Sequence, residues 1–166
     1  MKATIHRGTH EIGGTLIELK SDKSRILLDA GYPLFLNGNP IDDNLAKQPH
    51  EELLRLGVLP SIDGLYSWDS PSFDGIVISH AHLDHYGLLK YVHPDIPVYL
   101  SAGTQKLIEV SQLFKIVEQY SINASIFEMY KCLFRCIRCG IAIRYAHSVS
   151  ILYSRRNGNI VAPARP

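Results

Sequence analysis

Gly75-Ile76-Val77-Ile78-Ser79-His80-Ala81-His82-Leu83-Asp84-His85 is the stretch on which the reading of this chain turns. Its first half is a run of β-branched residues suited to a buried strand. That strand delivers the chain directly into three histidines and an aspartate within six residues. Neutral imidazole is the commonest ligand for zinc-like metals, and carboxylate oxygen completes such sites. In an irregular turn His80 and His82 would point to one side, and Asp84 and His85 to another. That arrangement would serve two adjacent ions rather than one. Two divalent ions about 3.5–4 Å apart share a hydroxide, lower its pKa and clamp a phosphoryl or acyl oxygen. A lone surface histidine seldom means a metal, but four donors behind a buried-type strand outweigh a chance loop cluster.

Outward from this stretch, strand and helix patterns alternate, which argues for an α/β layered architecture. Thr15–Leu19 and Arg25–Asp29 are short apolar runs joined by the polar turn Ser21-Asp22-Lys23-Ser24, a hairpin pattern. From Tyr32 to about Phe73 the chain is rich in Pro, Asn, Asp and Gly, and only Pro49–Leu56 reads as a helix there, stopped by Gly57. Connections this long tend to be functional or family-specific. Downstream, Gly87–Val92 predicts a short helix and Pro97–Leu100 a strand. Thr104–Tyr120 predicts the longest helix, with Leu107, Val110, Leu113, Phe114, Val117 and Tyr120 spaced mostly by threes and fours. Ile141–Tyr145 and Ser150–Tyr153 read as strands, with a turn at Asn157-Gly158.

With 166 residues, 46% hydrophobic and 20% charged, the chain has the size and balance of one globular domain. It contains no apolar run long enough for a membrane helix and no signal-peptide core at its start, so the expected location is cytoplasmic. A net charge of +1 hides an asymmetry. Residues 1–128 hold 10 Lys and Arg against 16 Asp and Glu, a balance of −6; residues 129–166 hold 7 Lys and Arg and no acid. The chain changes character near residue 129.

His80-Ala81-His82-Leu83-Asp84-His85-Tyr86-Gly87 resembles the signature of the metallo-β-lactamase superfamily. The resemblance implies that His80 and His82 bind one zinc ion and that Asp84 and His85 bind a second. Leu27-Leu28-Asp29-Ala30-Gly31 is similar to an earlier family motif, whose aspartate supports the metal loop without ligating metal. The implied fold is α/β, the αββα sandwich of that superfamily, with residues 1–128 as its N-terminal part and 129–166 as an atypical tail. The opening Gly8–Thr15, the Asp29–Gly31 turn and the 51 residues from Asp29 to His80 resemble the ribonuclease J-like branch. That branch implies phosphodiester hydrolysis, of RNA, by a metal-bound hydroxide, with Asp84 orienting the water or moving its proton. The same loop also fits a thioester, lactone or β-lactam hydrolase, or a truncated fragment without catalysis. Independent signs of nucleic-acid binding are missing from the acidic residues 1–128.

Family members complete the site with a third histidine, a bridging aspartate and a final histidine. His147, 62 residues after His85, is the candidate for the first of these. No Asp or Glu follows Glu128 and no His follows His147, so the second metal site is expected to be compromised. Cys132, Cys136 and Cys139 have a Cys-x3-Cys-x2-Cys spacing that resembles an iron–sulfur motif. The barrel expected around such a cluster has no counterpart here, and three reduced thiols are the plainer reading. The basic tail could touch phosphates, or simply be solvated.

Overall fold

The computed structural model describes residues 1–127 apart from His10 and Ile12, and beyond them only the backbone of strands 133–135, 141–146, 149–156 and 159–161. The leading strands β1 (Lys2–Arg7), β2 (Leu16–Lys20) and β3 (Arg25–Leu28) form an antiparallel meander. The turn between β2 and β3 closes through the Ser21 amide, which donates to the Ser24 carbonyl at 2.8 Å. A small ribbon, β4 (Phe35–Leu36) and β5 (Asn39–Pro40), and helices α1 (Asp43–Ala46) and α2 (His50–Leu56) follow. Gly57 ends α2 in the left-handed region, φ 78°, as its position after the apolar run predicts. Then come β6 (Gly75–Val77), α3 (Leu83–Tyr86), a 3₁₀ turn at Leu89–Tyr91, β7 (Val98–Ser101), α4 (Ala102–Leu113) and β8 (Ala124–Phe127). The six main strands lie in the order β1-β2-β3-β6-β7-β8, antiparallel at the β1 side and parallel from β3 onward. Strands β9 (Leu133–Arg135), β10 (Ile141–Ala146), β11 (Val149–Arg156) and β12 (Asn159–Val161) form a separate antiparallel sheet. Asn157-Gly158, His147 and the three cysteines lie outside the described residues.

Side-chain alternation along the strands sorts the core. Leu16, Leu27, Ile76, Ile78, Val98 and Leu100 face one side, where Leu53, Leu65, Tyr86, Leu88 and Ile108 pack against them. Ile17, Leu19, Ile26, Leu28, Val77 and Tyr99 face the other side in a smaller cluster. A period of two places successive residues on opposite faces, so both sides of the parallel strands are apolar.

The helix read from Thr104 to Tyr120 runs instead from Ala102 to Leu113, and the reason lies in its C-terminus. The Ile116 amide bonds the Ser111 carbonyl at 2.9 Å and the Lys115 amide bonds the Gln112 carbonyl at 3.0 Å. That is a Schellman end, with Lys115 at φ 55° in the place glycine usually fills. Its inner face also differs from the expectation. Thr104 and Ile108 are buried, whereas Leu107, Leu113 and Phe114 are more than half exposed. Gly87–Val92 proves to be the end of α3 and the 3₁₀ turn rather than one helix. Among the described residues no helix is long and apolar enough to cross a membrane.

The long connection before β6 is anchored by charge. The Arg25 guanidinium donates to both oxygens of Glu18 (2.8 and 3.1 Å), to the Asp63 carbonyl (2.8 Å) and to the Ser72 hydroxyl (2.6 Å), and lies 3.9 Å from the Phe73 ring centre. His6 Nε2 approaches the same carboxylate at 2.9 Å. The Arg25 hydrogen bonds hold the Glu18 pKa at about 2, against the burial that would raise it, with His6 adding to the effect. A depressed carboxylate stabilises the fold above its unfolded pKa near 4.5 and loses that contribution as pH falls towards 2. Glu18→Gln is therefore expected to lower stability by about 1–3 kcal/mol near neutral pH. The difference from wild type should shrink through that acid window in thermal unfolding scans.

Candidate metal centre

Asp29 is the first residue after β3, and its backbone takes φ 57°. That turn aims a buried carboxylate across at the end of the neighbouring parallel strand β6. There it accepts hydrogen bonds from the Ser79 amide (2.7 Å, to Oδ1) and the Ser79 hydroxyl (2.8 Å, to Oδ2). His85 Nδ1 lies 2.8 Å from the same Oδ2. The geometry gives His85 a donor role at Nδ1 and leaves Nε2 as its free lone pair, the arrangement by which an outer carboxylate fixes a ligating imidazole.

Ser79 is the junction of the cluster. Its hydroxyl stands 2.9 Å from His80 Nδ1 and 3.2 Å from His85 Nδ1. His80 Nε2 lies 3.1 Å from His82 Nδ1, and His85 Nε2 lies 3.4 Å from Asp84 Oδ2. The His80 ring sits between the other two, 3.9 Å from His85 and 4.7 Å from His82 between centres. Burial, then the neighbouring His85 and His82, lower the His80 pKa below the ordinary histidine value. His80 is thereby kept neutral, the form that ligates metal.

The loop backbone is held from both sides. Asp84 and His85 lie within α3, where the His85 and Tyr86 amides bond the His82 carbonyl at 2.8 and 3.1 Å. Their own carbonyls are also taken: Ala30 N donates to His85 O (2.8 Å) and Thr15 N to Asp84 O (3.1 Å). Gly31 lets this approach happen, since a Cβ there would fall 1.9 Å from the Asp84 carbonyl oxygen. Gly13, at φ 83°, packs against the Asp84 side chain in the same way.

The structure thus brings together His80, His82, Asp84 and His85, the four loop residues singled out from the sequence. His147 falls outside the described residues. The donors are of the type that zinc takes, N and O. Among the described residues, however, no three of them surround a common point as a metal site requires. The donors fall instead into two pairs, His80 Nε2 with His82 Nδ1 at 3.1 Å and His85 Nε2 with Asp84 Oδ2 at 3.4 Å, each pair spaced as two ligands of one ion would be. Sequence reasoning missed Ser79, the hub of the network, although its position directly before His80 was the available signal.

No protein-family model matches the chain. It is 32% identical over 115 residues to transcription termination factor FttA of Methanothermobacter thermautotrophicus, covering 68% of this chain and 15% of that protein. It is 35% identical over 120 residues to the probable RNase MJ4 of Methanocaldococcus jannaschii, covering 69% and 23%. Ribonuclease J of Helicobacter pylori matches at 30% over 132 residues, covering 72% and 17%. With the histidine loop seated at the end of a parallel strand, these matches decide the family. The chain belongs to the metallo-β-lactamase superfamily. It carries the metallo-β-lactamase fold. A solved protein of unknown function from Enterococcus faecalis V583 has a similar fold: TM-score 0.70 at 20% identity, over 95% of this chain and 41% of that one. The chain spans less than a quarter of the length of the curated metallo-β-lactamase relatives it matches.

Gly31→Ala is expected to lower stability by about 2–4 kcal/mol, because the added methyl meets backbone rather than a movable side chain. Gly103→Ala, in the first turn of α4 with its nearest neighbour at 3.8 Å, should instead raise stability by up to about 1 kcal/mol. Denaturant unfolding of the two variants checks both signs.

Proposed function

We propose that the chain carries the metal-dependent centre of a phosphodiester hydrolase acting on RNA. The observation that supports this most is the Asp29 clamp: one buried carboxylate orders Ser79 and His85, and through Ser79 also His80. The relatives named as an RNase and a ribonuclease J support RNA as the substrate.

In this reading His80 and His82 hold one zinc ion, with His147 as a further ligand, and Asp84 and His85 hold a second. A zinc ion bound there supplies a water ionised near neutral pH and a Lewis acid for the phosphoryl oxygen. Asp29 keeps the His85 ring in one tautomer and orientation. Neutral His80 presents a lone pair instead of a proton. Asp84, partly exposed and 3.4 Å from His85 Nε2, accepts the proton of the attacking water at its carboxylate.

The test is cleavage of a labelled RNA by the 166-residue chain, with zinc added and with a chelator. The expected result is chelator-sensitive cleavage that falls by more than about a hundredfold in His82→Ala, a ligand loss exceeding the range for outer positions. A thioester, a lactone and a β-lactam run beside the RNA should be left intact. Equal cleavage by His82→Ala, cleavage that survives chelation, or turnover of those acyl substrates alone contradicts the proposal.

A further inference from the structure

Beside the histidine loop, the outer face of α3 forms one wall of a cavity of about 840 Å³. Leu83, between His82 and Asp84 in the loop, lines it, so the cavity adjoins the segment that carries the candidate metal donors. The opposite walls come from the end of α1 at Ala46–Gln48, from Gln112 in the last turn of α4 and from residues 115–120 beyond it.

Its charge runs against that of its surroundings. Residues 1–128 carry a balance of −6, yet Lys47, Lys90 and Lys115 line this one cleft against a single carboxylate, Glu118. Lys90 Nζ bonds Glu118 at 2.9 Å, which neutralises one pair. Lys47 and Lys115 are exposed and have no ion-pair partner among the described residues.

Between the lysines stand Tyr32, Tyr91 and Tyr120. The Lys90 ammonium lies 4.9 Å from the Tyr91 ring centre. The hydroxyls of Tyr32 and Tyr120 are buried and have no hydrogen-bond partner among the described residues. Those oxygens have almost no accessible surface, so what lines the cavity is the rest of each tyrosine rather than its hydroxyl.

Cations that follow a backbone and aromatic rings for base faces are together the chemistry of single-stranded nucleic-acid binding. We propose that this cleft binds the single-stranded RNA flanking the scissile bond, leading it from the histidine loop along α3 to residues 112–120. The proposal rests on the reading of the chain as an RNA hydrolase. It assigns the strand a path that the loop itself does not specify.

The probe is a short fluorescein-labelled oligoadenylate, followed by anisotropy with the full chain at several salt concentrations. Lys47→Glu with Lys115→Glu should weaken binding by about tenfold or more and flatten the slope of log affinity against log salt by about 1.4, two phosphate contacts' worth. Lys23→Glu, on the exposed β2–β3 turn, makes the same kind of charge change elsewhere and should leave affinity within about twofold of wild type. Equal weakening by Lys23→Glu, or none by the double variant, overturns the cleft. His82→Ala separates this proposal from the hydrolase reading, since it should lose cleavage while keeping oligoadenylate binding. If the wild type binds through the lysines yet never cleaves, the hydrolase reading fails and the cleft stands. If it cleaves and the double variant binds unchanged, the cleft fails alone.

Discussion

The Asp29 carboxylate accepts from the Ser79 amide and hydroxyl and meets His85 Nδ1, all within 2.8 Å. These contacts set the base of the histidine loop. They join the ends of two adjacent parallel strands, and they do so beneath the surface, where charge-assisted hydrogen bonds are strongest. A buried carboxylate left without partners would be costly, so the loop and the strand ends stabilise each other. The left-handed backbone of Asp29 is part of that arrangement, because it turns the side chain from the sheet edge toward the loop.

Around this clamp the fold supplies support rather than chemistry. The apolar core behind β6 fixes Ile76 and Ile78, and so the point at which Ser79 emerges. Gly31 and Thr15 allow the β2 and β3 ends to sit against the Asp84 carbonyl, closing the loop from below. Arg25 performs a related task at the other end of β3, tying the long connection to the sheet through Glu18, Asp63 and Ser72. One short strand therefore positions the loop at its C-terminal end and the insertion at its N-terminal end.

The fold was largely legible because its signals are local. The hairpin at 16–28, the buried strand before His80 and the helix stop at Gly57 each depend on a few adjacent residues. The four loop residues were legible for the same reason: they fall within six positions. Ser79 was less so, because a serine at a strand end is ordinary until a carboxylate 50 residues earlier is found beside it. The end of α4 was misread since its left-handed cap is a lysine, and its inner face because Ile108, not the Leu107–Phe114 stripe, meets the core. The lysine–tyrosine cleft was invisible in the sequence, as its cations come from three segments whose overall charge is acidic.

A clamp that prepares the loop for metal should show in metal affinity. This is tested most directly by zinc titration calorimetry of the wild-type chain and of Asp29→Asn. Asparagine keeps the size of the side chain but removes its charge and one of its acceptors. About one zinc ion or more per wild-type chain is expected, with an affinity about 10–100-fold weaker in Asp29→Asn. A wild-type chain that takes up no zinc, or an Asp29→Asn variant that binds it equally well, would contradict the account.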